Sequence, residues 1–203
     1  RADHVAVIAL KLISTEVLQA LRGAVESVAR DPAVEAYVLA ISPEIGLQSG
    51  MDPVELGALT AYQAEILTKT SRDVFEQIER SRKPIVAAVD GEAMGGLLEL
   101  ALACRARVAA EDPKTVFAFP GVLTGLSPTG GGTKRLPKLI GLRKALPMLL
   151  TGQRIRARKA LKMGLVDQLA SPSELKERAI TLAKSLARRE AKFKRPGQAG
   201  LDR

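Results

Sequence analysis

The chain has 203 residues, 46% of them hydrophobic and 26% charged, and carries a formal net charge of +9 at pH 7. This length fits one domain with a sizeable core, and no apolar stretch reaches the roughly 20 residues of a membrane helix. Cys104 is the single cysteine, so an internal disulfide is excluded and a reducing compartment is predicted, the cytoplasm or a mitochondrial matrix. His4 is the single histidine, which argues against a His-dependent triad or a multi-histidine metal site.

The excess of positive charge suits a polyanionic partner, either a nucleic acid or a small molecule with several phosphates. Aromatic residues make up only 3% of the chain, which argues against a surface on which bases stack. A basic cluster near the end is interpreted as a solvated helix end and linker; it comprises Arg188, Arg189, Lys192, Lys194 and Arg195. A ligand with several phosphates is therefore favoured, and a nucleic-acid-binding module is the alternative.

Strands and helices alternate along the first two thirds of the chain. In chain order we predict a strand at 4–10, a helix that Ser14 caps and Asp31 ends, a strand at 36–41, a loop at 43–50, a helix at 58–81, a strand at 84–89, a helix at 97–104, and strands at 107–110 and 115–119. This alternation predicts an α/β fold with parallel strand pairing.

The last third of the sequence has helical periodicity. A run of three glycines at 130–132 breaks the chain before a basic segment at 133–140. Helices are then predicted at 142–150, 157–163 and 173–192, followed by a tail or linker at 194–203. The helical part, 141–193, is too small for a core of its own, so we expect it to pack on the body formed by 1–140.

Two glycine-containing turns follow predicted strands. The first is SGMD at 49–52, and the second contains Gly95 and Gly96 at the start of an apolar helix. The first amides of a helix have no acceptor within the helix, and the dipole there favours negative charge. Such turns can hold an anion or a developing oxyanion. A glycine pair at a helix start also serves close packing, so this pattern alone leaves both interpretations open.

Several segments together resemble the signature of the enoyl-CoA hydratase/isomerase (crotonase) superfamily. They are DGEAMGGLLELALAC at 90–104, PTGGGTKRLP at 128–137, LTG at 150–152 and ARKALKMGLVD at 157–167. The likeness is greatest to the hydratase portion of the multifunctional fatty-acid oxidation enzyme, where DPKTV at 112–116 also fits. In those proteins a dehydrogenase region follows, and residues 194–203 resemble the start of the linker that leads to it.

The resemblance implies a spiral of ββα turns over residues 1–140 and C-terminal helices over 141–193 that support a homotrimer or hexamer. It implies an acyl-CoA or enoyl-CoA ligand, no metal, and no cofactor beyond the coenzyme A of the substrate itself. By position, the amides that bind the thioester oxygen are those of Met51 and Gly96, and the first of two catalytic glutamates is Glu99. Further substrate contacts are expected from Gln48, Ser49, Gly50, Asp52, Gly95, Pro120 and Gly121.

The sequence also departs from the family pattern. Gly121 follows Pro120 where family hydratases carry the second glutamate, and glycine cannot transfer a proton. Leu97 replaces the third glycine of the usual triple glycine and is expected to narrow the acyl pocket. The turn before Ser14 and the loop at 42–48 are shorter than usual.

The sequence therefore predicts an acyl-CoA-binding crotonase-family protein and favours an enoyl-CoA hydratase of fatty-acid β-oxidation, which adds water across the C2–C3 double bond. One alternative is a member that binds CoA esters with weak or no chemistry, which Gly121 favours. Another is an RNA-binding protein, suggested by the charge and by RNA binding in some family members. Cys104 is interpreted as a small core residue and Glu92 as a solvent-facing charge.

Overall fold

The computed structural model describes residues 4–42 and 53–191. In chain order their elements are β1 (Val5–Leu10), α1 (Thr15–Arg30), β2 (Ala36–Ile41), α2 (Pro53–Ala58), α3 (Ala61–Glu79), β3 (Ile85–Val89), β4 (Glu92–Met94), α4 (Gly96–Ala103), β5 (Ala106–Ala110), β6 (Val116–Ala118), a 3-10 helix (Pro120–Thr124), α5 (Gly132–Ile140), α6 (Leu142–Thr151), β7 (Ile155–Arg156), α7 (Ala157–Met163), β8 (Gln168–Ala170) and α8 (Leu175–Ala187).

The strands form two sheets. The larger sheet has the order β1-β2-β3-β5-β8 and is parallel throughout. Every residue of β3 and β5 is buried, as expected for a parallel sheet whose two faces are both covered. The smaller sheet has the order β4-β6-β7, in which β4 pairs parallel and β7 antiparallel with β6.

Consecutive strands pass from one sheet to the other before a helix returns the chain. β3 lies in the large sheet, β4 in the small sheet, and α4 follows; β5, β6 and α5 repeat the pattern after the 3-10 helix. These are the ββα turns that the family resemblance implied, and the α/β fold class is confirmed.

Local capping explains where two of the helices begin. The Ser14 hydroxyl accepts a hydrogen bond from the Val17 amide at 3.1 Å, and α1 starts at the next residue, as predicted. Thr60 and Gln63 form a reciprocal capping box at the start of α3. The helix predicted at 58–81 is confirmed as α3, and the short helix α2 that precedes it was not predicted.

The segment after residue 130 contains more structure than its sequence indicated. The basic segment at 133–140 belongs to α5, and β7 and β8 lie within the part expected to be purely helical. β8 pairs with β5 in the large sheet, so the C-terminal part completes that sheet as well as covering it. α8 is shorter than the predicted 173–192 and packs on β2, β3 and β5, which confirms that this part rests on the body.

A buried arginine anchors the far end of α4. Arg107 of β5 is 2% exposed, and its guanidinium donates to the carbonyls of Ala101, Cys104 and Leu165 at 3.3, 2.9 and 2.8 Å. The same group pairs with Asp167 at 3.1 Å. Ala101 lies in the last turn of α4 and Cys104 caps that helix, so the guanidinium ties the C-terminal end of α4 to β5. Among the described residues, no helix combines the length and apolar character needed to cross a bilayer.

Candidate active site

A cavity of about 180 Å³ lies between α3, the start of α4 and the segment that follows β6. Its walls are mostly apolar, and they include the two glycines and the glutamate that the sequence singled out. The lining residues are Ile13, Leu56, Leu59, Ala64, Leu67, Thr68, Ser71, Phe75, Gly95, Gly96, Glu99, Phe119, Gly121, Leu126, Ser127, Pro128 and Thr129.

The glycine turn brings the first amides of α4 to this cavity. Gly95 has φ +50° and ψ −122°, a conformation that glycine adopts readily, and its amide donates to the Ala118 carbonyl at 3.0 Å. α4 begins at Gly96, whose amide has no acceptor within the helix. The Glu99 amide donates to the Gly95 carbonyl at 3.0 Å, so the carboxylate lies one helical turn beyond the glycines. The start of α4 and the Glu99 carboxylate therefore line the same cavity.

The Glu99 carboxylate is held in a buried position. The side chain is 5% exposed, and its Oε1 accepts a hydrogen bond from the Gly132 amide at 2.7 Å. Burial raises the pKa of Glu99, while hydrogen bonding to the amides of Gly132 and Gly130 and the charges of Arg135 and Arg72 oppose the rise. A carboxyl group with a raised pKa exchanges protons more readily near neutral pH, as a general acid–base group requires.

Only glycine fits the turn that contacts this carboxylate. A Cβ placed on Gly130 would lie 2.7 Å from Phe75 Cε2 and 3.0 Å from Glu99 Oε2. A Cβ on Gly132 would lie 2.9 Å from Phe119 Cζ and 3.0 Å from Glu99 Oε1. The triple glycine at 130–132, which the sequence indicated only as a break in the chain, therefore packs against the Glu99 carboxylate.

Comparison with known proteins agrees with this geometry. Residues 8–195 match the family model described as enoyl-CoA hydratase/isomerase. The chain belongs to this family. The enoyl-CoA hydratase of Bacillus anthracis is 30% identical, with a TM-score of 0.84 over 91% of this chain and 73% of that one. DspI of Pseudomonas aeruginosa is 32% identical, with a TM-score of 0.84 over 93% of this chain and 78% of that one.

Within this crotonase-family site, Gly121 supplies no acid–base group. It lies in the 3-10 helix and lines the cavity together with Glu99. Glu99 is the one ionisable side chain among the described lining residues. Pro120 begins the 3-10 helix, half-buried, and does not line the cavity. Leu97 is fully buried in the core and is not a lining residue either, so the prediction that it narrows the pocket is wrong.

The second amide proposed to bind the thioester oxygen lies outside the described residues. This holds for the oxyanion donor Met51 and for the proposed substrate contacts Gln48, Ser49, Gly50 and Asp52, which stay predictions. The shortened turn before Ser14 is described, and from it Ile13 reaches the cavity.

Sequence reasoning missed the wall that α3 contributes. Leu67, Ser71 and Phe75 recur every four residues, so they share one face of the helix, and that face lines the cavity. The buried Ser71 hydroxyl donates to the Leu67 carbonyl at 2.8 Å, which leaves the face without a free polar hydrogen there. The four-residue spacing of Leu67, Ser71 and Phe75 was the signal in the sequence that could have indicated this face.

Two residues set aside as non-functional have structural partners. The Cys104 thiol is 4% exposed, and burial raises its pKa to about 12, so it is a core residue, as interpreted from the sequence. Glu92 pairs with Arg154 at the surface rather than facing the cavity.

Proposed function

We propose that this protein is an acyl-CoA-binding enoyl-CoA hydratase of fatty-acid β-oxidation, with Glu99 as its acid–base group. One observation carries the proposal: a buried carboxylate with a raised pKa lies one helical turn from the first amides of α4, in an apolar cavity. The apolar walls would accept the acyl chain, and the +9 charge of the chain would favour the phosphates of coenzyme A.

The proposed reaction adds water across the C2–C3 double bond of the thioester. The Gly96 amide, with that of Met51 by family resemblance, would stabilise the negative charge that develops on the thioester oxygen. Glu99 would take one proton from water as the oxygen atom bonds to C3, and would then deliver a proton to C2. The atoms balance without a change in oxidation state, so the proposal requires no metal and no cofactor beyond the coenzyme A of the substrate.

Because Gly121 has no acid–base side chain, we expect a low rate of enoyl-CoA hydration. Each positioned acid–base group contributes about 10² to 10⁴ in rate, and this cavity has one such group instead of two. We therefore propose a hydratase that binds enoyl-CoA normally and turns it over slowly.

A single carboxylate favours a second candidate reaction in the same cavity. Moving a double bond from C3–C4 to C2–C3 needs one group that removes a proton from C2 and returns it to C4. Glu99 could perform both steps alone, because no second proton donor is involved. Isomerisation would then proceed at an ordinary rate in a protein that hydrates slowly.

The deciding experiment compares the two reactions in one preparation. Purified protein is assayed for hydration of crotonyl-CoA and for isomerisation of a 3-enoyl-CoA, with Glu99→Gln as the control that should lack both. In parallel, acetyl-CoA should raise the melting temperature, since a ligand at 100 times its Kd stabilises a protein by about 2.7 kcal/mol. An unchanged melting temperature at millimolar acetyl-CoA would contradict the whole proposal.

We also propose that the chain assembles as a homotrimer or hexamer. Leu142, Leu146 and Leu150 of α6 are 60%, 40% and 69% exposed and recur every four residues, so they form one apolar face. Leu123 of the 3-10 helix, which contacts α6, is also 73% exposed. An exposed apolar helix face of this kind is typical of an interface.

We also propose a cellular compartment and a neighbouring region for this chain. A reducing compartment, the cytoplasm or a mitochondrial matrix, suits a chain with one buried thiol. A dehydrogenase region after residues 194–203 is proposed from the family resemblance alone.

A further inference from the structure

Behind the Glu99 carboxylate, the turn at 130–132 rests on a second buried charged group. Arg135 lies in the first part of α5 and is 6% exposed. Its Nη1 donates to the Gly130 carbonyl at 2.6 Å. A Cβ on Gly131, which has φ +104°, would lie 2.4 Å from the same Nη1, so the turn folds directly over the guanidinium.

The other edge of the same guanidinium binds α3. Its Nε and Nη2 both donate to Glu79 Oε2, at 3.0 and 2.9 Å. Glu79 is the last residue of α3, the helix that forms one wall of the cavity. Arg135 thus connects the turn to that wall through a rigid, planar group with fixed donor directions.

The turn that Arg135 binds is joined to Glu99 by the Gly132 amide. The carboxylate accepts its 2.7 Å hydrogen bond from Gly132, and the Gly130 carbonyl that Arg135 binds belongs to the same turn. We infer that Arg135 is a positioning residue: by binding Gly130 and Glu79 together, it holds the turn against Glu99 and sets the place and charge of that carboxylate. The inference deepens the proposed function and rests on it only for the catalytic consequence.

The charges around Glu99 fix the direction of the expected effect. Among the described residues, the cations that act on it are Arg135 from α5 and Arg72 from α3, whose Nη2 donates to the Thr129 carbonyl at 3.4 Å. Both lower the pKa of Glu99 against the rise that burial causes, while the Glu79 anion lies on the far side of Arg135. Removing the Arg135 charge therefore moves the titration of Glu99 to higher pH.

The test uses Arg135→Met, Arg135→Lys and a matched control, Arg158→Met. Arg158 also pairs with a carboxylate, that of Glu111, but lies at the surface. Two readouts come from ligand-free protein by NMR: the titration of the Glu99 carboxyl, assigned with Glu99→Gln, and the amide proton of Gly132. A third is the pH profile of kcat and KM with crotonyl-CoA.

Arg135→Met should move the Glu99 titration to higher pH and lower kcat by about 10²-fold with little change in KM, because the base is misplaced but the coenzyme A contacts are not. Arg135→Lys keeps the positive charge but loses the planar set of guanidinium donors that binds Gly130 and Glu79 together. The titration of Glu99 should therefore stay near that of the natural protein, while the Gly132 amide proton signal shifts and kcat falls. Arg158→Met should change none of these.

The inference is overturned if Arg135→Met matches Arg158→Met in titration and in kcat. If Arg135→Met does not fold, Arg135→Lys decides, and a natural Gly132 proton shift in that variant overturns the inference. Absence of any turnover in the natural protein would remove the proposed function, whereas the two NMR readouts would still decide the role of Arg135.

Discussion

Gly121 and Glu99 line the same cavity, but only Glu99 brings a carboxylate into it. The backbone does not explain the missing side chain, since Gly121 is not among the glycines with positive φ. A Cβ at this position would lie 3.2 Å from Leu126 Cβ, so a side chain here requires Leu126 to move by a few tenths of an ångström. The backbone conformation at position 121 is therefore open to a residue with a side chain.

Replacing Gly121→Glu should raise the rate of crotonyl-CoA hydration by about 10² or more, because a second positioned acid–base group is restored. Gly121→Gln, equal in size but unable to transfer a proton, is the control and should give no gain. Steady-state hydration by the three proteins measures the effect. If the natural protein already hydrates crotonyl-CoA as fast as a two-glutamate family hydratase, another group replaces the missing acid and the site assignment is wrong.

Gly132→Ala should lower both stability and activity. The added methyl group would meet Phe119 and Glu99, and overpacking of this kind costs about 1–3 kcal/mol. The carboxylate would also be displaced from its hydrogen bond to the Gly132 amide. Thermal unfolding and the hydration rate should fall together.

The matched control for that substitution is Gly23→Ala. Gly23 is exposed in α1, and a Cβ there would meet nothing within 4 Å. Alanine should stabilise the helix by about 0.5–1 kcal/mol and leave the rate unchanged. Equal melting temperatures for the two variants would show that the turn at 130–132 has room that the structure does not indicate.

The stability of the protein should depend on pH through Glu99. Burial raises the pKa of this group in the folded state above its unfolded value of about 4.3. The folded state therefore binds more protons than the unfolded state between these two pKa values, and the contribution of Glu99 to stability falls as pH rises through that window. Glu99→Gln does not titrate, so its melting temperature relative to the natural protein should increase from pH 4 to pH 8. A difference that stays constant with pH would mean that the pKa of Glu99 is not raised.

The apolar face of α6 can be tested by the mass of the particle in solution. Light scattering should give three or six chains for the natural protein and fewer for Leu150→Lys, because a charge would then lie in the proposed interface. Tyr62→Lys is matched, since Tyr62 is 72% exposed and Leu150 69%, and it should keep the natural assembly. A natural monomer would remove the assembly proposal, and a trimer in both variants would place the interface away from α6.

Local sequence signals determined much of this fold. The caps at Ser14 and Asp31, the apolar strand at residues 36–41 and the helix at 157–163 were all readable, because capping and hydrophobic periodicity act over a few neighbouring residues. The glycine pair before Glu99 was also visible, and its family resemblance gave the correct family.

Tertiary structure alone decided the rest. β4, β7 and β8 are two or three residues long, too short to show a period, and exist because a partner strand lies beside them. In the same way, the contact between Glu99 and the turn at 130–132, far away in sequence, forms only in the folded chain, where the Gly132 amide donates to the carboxylate. Sequence spacing records neither contact, because burial and hydrogen bonding between distant segments arise only when the chain is folded.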